Sequence, residues 1–210
     1  MRLFAFILSV LLCSCTAQTD RYIIEGTTSQ TGHYYLFKGY ELVDSAEIIN
    51  GHYRFEGEID RKVPLRNICN TKLSDEWVRT RFAPVILEGG VVKVVEDDKS
   101  VTGGLTVTGT KGNNAIHNFA VKGHQIQEAG EFIFDPRQRE KLVKAAQELA
   151  TKSVEKNLDN FASLYIISIN GKRFTTEQKA KYLKKLSPEM QQTIAAEVLR
   201  NQIEKSETEN

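Results

Sequence analysis

An α+β fold is predicted: an N-terminal antiparallel β-sandwich followed by a C-terminal set of amphipathic helices. Three features carry it. Arg54, Glu56 and Glu58 alternate with Tyr53, Phe55 and Ile59, the period of two expected for a strand with one wet face. Asn50-Gly51 precedes that strand, and Asn-Gly is a strong hairpin signal because both residues tolerate φ > 0. After Asn113 the apolar spacing changes to that of helices, and strands first with helices after is the order of an α+β chain.

The individual elements follow in order. From Tyr22 to about Gly109 the chain reads as β-structure. Asn50-Gly51 is expected to join Leu42–Ile49 to the strand at Tyr53, and Glu88-Gly89-Gly90 to join Phe82–Leu87 to Val91–Val95 as a second hairpin. Gly103-Gly104 precedes a further strand, Leu105–Thr108. Short, closely spaced strands with Gly turns indicate a sandwich or barrel. In the second half Asp135-Pro136 offers an N-cap with Pro at the first helical position, followed by Leu142, Val143, Leu149, Ala150 and Val154 on one face. Phe161, Leu164, Tyr165, Ile167 and Ile169 form a second apolar segment, closed by Asn170-Gly171 as a left-handed cap. Thr175 and Gln178 make a capping box ahead of Ala180, Leu183 and Leu186. Ser187-Pro188-Glu189 opens a last helix carrying Met190, Ile194, Val198 and Ile203. The expected divisions are residues 1–14 (signal), 15–20 (tether), 21–112 (sandwich), 113–204 (helical region) and 205–210 (frayed tail). The boundary between halves is placed at Gly109–Asn113 and the polar stretch Lys122–Gly130.

The N-terminus carries an address. Met1-Arg2 is followed by an unbroken apolar run from Leu3 to Leu12, and then by Cys13-Ser14-Cys15. A membrane span needs about 20 apolar residues, so this run reads as a secretory signal. Leu12-Cys13-Ser14-Cys15 resembles a bacterial lipobox, with Cys15 as the lipidated first residue of the mature chain. Thr16 rather than Asp follows it, and no run of acids does, so an outer-membrane lipoprotein facing the periplasm is expected.

Composition narrows the partners. The chain holds 28 basic and 27 acidic residues, and removal of residues 1–14 takes away Arg2 alone, leaving 27 of each. That balance excludes the basic excess a nucleic-acid partner requires and leaves the lipid as the visible membrane attachment. Only Cys69 would remain beside the lipidated Cys15, so no internal disulfide is expected, and Cys69 reads as a small apolar strand residue.

Candidate chemistry is sparse. None of His33, His52, His117 and His124 sits in metal-ligand spacing, although His117 and His124 lie near one another in sequence. Glu96-Asp97-Asp98 has the composition of a carboxylate cluster or of a polar hairpin end, without EF-hand spacing. Gly109-x-x-Gly112 lacks the ending of a phosphate loop, so no metal and no cofactor is expected. The densest aromatic stretch is Tyr34, Tyr35, Phe37 and Tyr40, which alternation divides between two faces, Tyr35 and Phe37 on one and Tyr34 on the other. These four are the candidate binding patch; the alternative is one face in the core and one partly exposed.

Taken in order, the segments Tyr22-Ile23-Ile24-Glu25-Gly26, Tyr34-Tyr35-Leu36, Leu42-Val43-Asp44-Ser45 and Asn50 to Gly57 resemble the lipoprotein domain of unknown function 4369. Pro84 to Gly90, Val101-Thr102-Gly103 and Val107-Thr108-Gly109-Thr110 continue the resemblance, and Leu158 to Ser163 with Leu186 to Glu189 are similar to the linker that follows. That module usually precedes a thioredoxin-like thiol–disulfide oxidoreductase domain, whose Cys-x-x-Cys pair does the exchange. No Cys-x-x-Cys occurs here, so the resemblance implies no transferable oxidoreductase activity. The expectation is a lipid-anchored, non-catalytic binding or scaffold module with a possible envelope protein partner. The alternative is an accessory subunit of thiol–disulfide exchange that uses Cys69 or docks a separate thioredoxin-like protein. The apolar helix faces are expected to pack within a monomer.

Overall fold

The computed structural model describes residues 20–71, 82–97 and 104–208. Residues 1–19, with Cys15 and the signal, lie outside them, as do Asp98 and Gly103. Among the described residues eight strands precede six α-helices, as the α+β reading expects. The strands are β1 Arg21–Thr27, β2 His33–Lys38, β3 Glu41–Glu47, β4 His52–Glu58, β5 Leu65–Cys69, β6 Phe82–Ile86, β7 Gly90–Glu96 and β8 Leu105–Thr108. They form two four-stranded sheets, ordered β4-β1-β7-β8 and β3-β2-β5-β6.

Both predicted hairpins are reassigned. Asn50 and Gly51 do turn the chain, with φ of 52° and 76°, and Ile49 and His52 exchange backbone hydrogen bonds of 2.9 and 3.0 Å. Beyond that single bridge β3 and β4 part into different sheets. Glu88-Gly89-Gly90 likewise carries the chain from β6 in one sheet to β7 in the other. Local turn chemistry fixes the reversal, but burial of the apolar face of each strand decides which sheet it joins. One pair departs from the antiparallel expectation: β1 runs parallel to β7, Ile24 opposite Val92.

The sandwich core is filled by Ile24, Leu36, Phe55, Ile68, Val85, Val92 and Val94. Two tyrosines join it by lying over glycines of the neighbouring strand. Tyr22 pairs with Gly57 and Tyr53 with Gly26. A Cβ added to Gly26 would fall 1.8 Å from Tyr53 Cζ, so that site admits only glycine while the ring stays in place.

The helices are α1 Lys111–Glu128, α2 Pro136–Lys156, α3 Ala162–Ile169, α4 Thr176–Lys185, α5 Pro188–Gln191 and α6 Ile194–Thr208. Asp135 accepts from the Arg137 amide as N-cap, with Pro136 in the first turn. Thr175 and Gln178 form the capping box, and Ser187 accepts from the Met190 amide. Three expectations are corrected. Asn170 has φ −118°, and Gly171–Arg173 is a 3₁₀ turn, so α3 has no left-handed cap. The last helix is broken after Gln191, where the Ile194 amide donates to the Lys62 carbonyl of the sandwich. As a result α6 buries Ala196, Leu199 and Ile203, leaving Ile194 and Val198 half-exposed. Finally, α1 runs unbroken through Gly112, Asn113 and the polar stretch from Lys122 to Glu128, so neither position is a loose boundary. The second core gathers Val154, Leu164, Ile166, Ile167, Tyr182 and Leu199 against Ile86 of the sandwich.

Candidate binding surface

The geometry of the junction sets where the helices point. The Glu88 carboxylate accepts from the amides of Gly112 (2.7 Å) and Asn113 (3.2 Å) and from the Thr110 hydroxyl, placing negative charge on the N-terminus of α1. Asn113, 1 % exposed, accepts from the Ile86 amide at 2.9 Å and donates to the Ile86 carbonyl at 2.8 Å. Its side chain therefore stands in for a strand along the outer edge of β6, an edge that also accommodates Pro84. Nearby, Arg61 bridges Asp20 and Glu189, tying the start of β1 to α5. The chain thus enters at the junction, and α1, at about 1.5 Å per residue, carries its far end about 27 Å away.

The four predicted patch residues do not share a surface. Tyr34 is wholly buried, stacked on Tyr53 with ring centroids 4.0 Å apart, and its hydroxyl donates to Glu96 at 2.9 Å. Phe37 is buried as well, Tyr35 is half-buried, and Tyr40 is 87 % exposed in the β2–β3 turn. Register is the reason. The ladder to β3 shifts between Leu36 and Phe37, which breaks the alternation that would have left one face wet.

The remaining candidates are occupied locally. Cys69 is 1 % exposed and its thiol donates to the Thr71 carbonyl at 3.2 Å, the setting of an inert cysteine. Glu96 accepts from Tyr34 and from the Ser29 amide, so it serves the sandwich end. Burial drives the Tyr53 hydroxyl far above the usual phenol range, reinforced by Tyr34 and Glu96, and keeps it neutral. His117 and His124 lie seven residues apart on α1, about 10 Å along its axis, and His124 pairs with Glu128 at 3.1 Å. Among the described residues no three His, Cys, Asp or Glu side chains converge as metal ligands. Among them, too, no helix is long and apolar enough to cross a membrane.

What the helical periodicity missed is the far end of α1 and α2. A groove of about 960 Å³ opens there, with Phe119, Ile126, Leu142 and Leu149 among its lining. Beside it Phe132 and Phe134 are 80 % and 82 % exposed, with Val143 also largely in solvent. The tip that carries them is held by hydrogen bonds from the Ile133 amide to the Gly130 carbonyl (3.2 Å) and from Arg139 Nε to the Ile133 carbonyl (2.8 Å). Isolated exposed apolar residues are ordinary, but two aromatics beside an open, partly apolar groove form a patch of the kind interfaces use. The signal was present as Glu131-Phe132-Ile133-Phe134-Asp135, an apolar triplet in a polar stretch that fits neither strand nor helix.

Comparison with curated proteins and with solved structures finds no match. Residues 22–116, which run from the start of β1 into the second turn of α1, match the family model described as a domain of unknown function (DUF4369). That match covers the β-sandwich of this chain and the junction that seats α1 on it.

Proposed function

We propose that the chain is a lipid-anchored, non-catalytic binding or scaffold module of the cell envelope, with the α1–α2 end as its binding surface. The observation that carries the reading is the groove at that end, left open by the described residues, with Phe132 and Phe134 beside it. The candidate nucleophiles and acids are engaged in structural bonds, while this apolar surface is left open. The lipobox-like Leu12-Cys13-Ser14-Cys15 supports the anchor, and Thr16 supports an outer-membrane address facing the periplasm. A tether of residues 16–20 extends at most about 18 Å, so the junction stays near the bilayer and α1 displays its far end away from the attachment point.

Two measurements test this. Palmitate labelling should be lost, with release from membranes, in Cys15→Ser; a variant that stays labelled and membrane-bound refutes the anchor. A photoreactive residue at Phe134 should cross-link to protein in intact cells, whereas one at Tyr40 should not. Equal cross-linking at both positions refutes the assignment of the surface. The docking of a separate thioredoxin-like protein falls within this reading, but exchange through Cys69 is disfavoured by its burial. Reduction of a disulfide substrate by the purified chain, dependent on Cys69, would reverse that preference.

A further inference from the structure

We infer that the occupant of the α1–α2 groove is the Phe132–Phe134 tip of a second copy of this chain, in a twofold dimer. The inference rests on the reading of this end as the binding surface and names its partner. One surface holds both an apolar knob and a groove lined in part by apolar side chains. The phenyl groups of Phe132 and Phe134 stand in solvent, and the groove of about 960 Å³ beside them has room for them. A twofold interface needs such self-complementarity, because each copy offers the same patch and must supply both halves of every contact. The charges are arranged in the same sense. Glu131 and Asp135 flank the knob, and the groove is lined by Arg139 and Arg173 together with Glu128 and Glu131. Neither Glu131 nor Arg173 has an ion-pair partner among the described residues. Seating one knob in the other groove pairs Glu131 of each copy with Arg173 of its partner, twice over. The hydrogen bonds from Ile133 and Arg139 hold the knob in shape beforehand, which lowers the ordering cost of association.

Sedimentation of residues 20–210, which contain both hydrophobic cores, tests the inference. A dimer at micromolar concentration is expected. Phe132→Ser with Phe134→Ser should raise its dissociation constant about tenfold or more, as for anchors at an interface centre, with an unchanged circular dichroism spectrum because both rings are exposed in the single folded chain. Glu131→Arg and Arg173→Glu should each weaken self-association, and an equimolar mixture of the two should restore a heterodimer. A monomeric parent chain overturns the proposal, as does a dimer indifferent to loss of the phenyl groups, or a mixture that fails to pair. A monomer that instead sediments with phosphatidylcholine vesicles through Phe132 and Phe134 overturns it in favour of a bilayer. None of these outcomes bears on the palmitate experiment, so the anchor and the dimer stand or fall separately.

Discussion

Replacing Asn113 with alanine should destabilise the chain by about 3 kcal/mol, more than most substitutions of a polar residue, because the loss is concentrated on buried backbone. The side chain serves both polar groups of Ile86, accepting at 2.9 Å and donating at 2.8 Å, and also donates to the Thr110 hydroxyl at 2.8 Å. Ile86 is 2 % exposed, so alanine leaves an N–H and a C=O without partners in a dry setting. Each such orphan costs about 1–3 kcal/mol, so the two sum to about 2–6 kcal/mol, and a value in the lower half of that range allows for partial relaxation. For a domain of this size about 3 kcal/mol corresponds to a drop of roughly 6–12 °C in melting temperature. Urea unfolding followed by circular dichroism gives the free energy, and hydrogen exchange at the Ile86 amide gives its location. The expected result is a lower midpoint with that amide deprotected ahead of the sandwich core. A loss below about 1 kcal/mol with Ile86 still protected would refute the view that this amide rigidly joins sandwich and helices.

Other consequences are as direct. Gly26→Ala should cost at least about 3 kcal/mol in urea unfolding, since the new methyl meets the Tyr53 ring at 1.8 Å. Gly123→Ala, inside α1 with nothing within 4 Å, should instead stabilise by about 0.5–1 kcal/mol; a loss there would contradict the helix. Thr175→Ala should remove about 1 kcal/mol by breaking the capping box of α4. The hydrogen bond from Lys111 holds the Asp159 carboxyl below its usual range. At Asp60 burial pushes the carboxyl up, but the bonds from Lys38 and the Val63 amide outweigh it and hold it down. Because these folded values are depressed, their stabilisation is present in full above the unfolded carboxylate value near pH 4 and is lost as pH falls through the folded values. Melting temperature should therefore fall on acidification below about pH 4, and Lys111→Met should flatten that fall. An unaltered slope in Lys111→Met would rule out the Asp159 contribution.

Sequence by itself determined what depends on neighbours along the chain. The Asn50-Gly51 turn needs two residues that tolerate positive φ, and both have it; the caps at Asp135, Thr175 and Ser187 need a side-chain oxygen within three residues of the amide it serves. The order of strands then helices was legible for the same reason, since hydrophobic period is a local property. Tertiary structure alone decided where those pieces went. A turn reverses the chain without choosing a sheet, so β3 and β4 part after Asn50-Gly51, and β6 and β7 after Glu88-Gly89-Gly90. Alternation divided the aromatic stretch between two faces, and the packing of the sheets decided that Tyr34 lies in the core, while a register shift accompanies the burial of Phe37 as well. Asn113, read as a boundary, became the residue that closes it, because its partners at Ile86 lie 27 positions away. The exposed Phe132 and Phe134 follow the same rule. Their type was visible from the start, but whether an aromatic residue is core or surface depends on which elements pack over it, and none of the described elements covers these two.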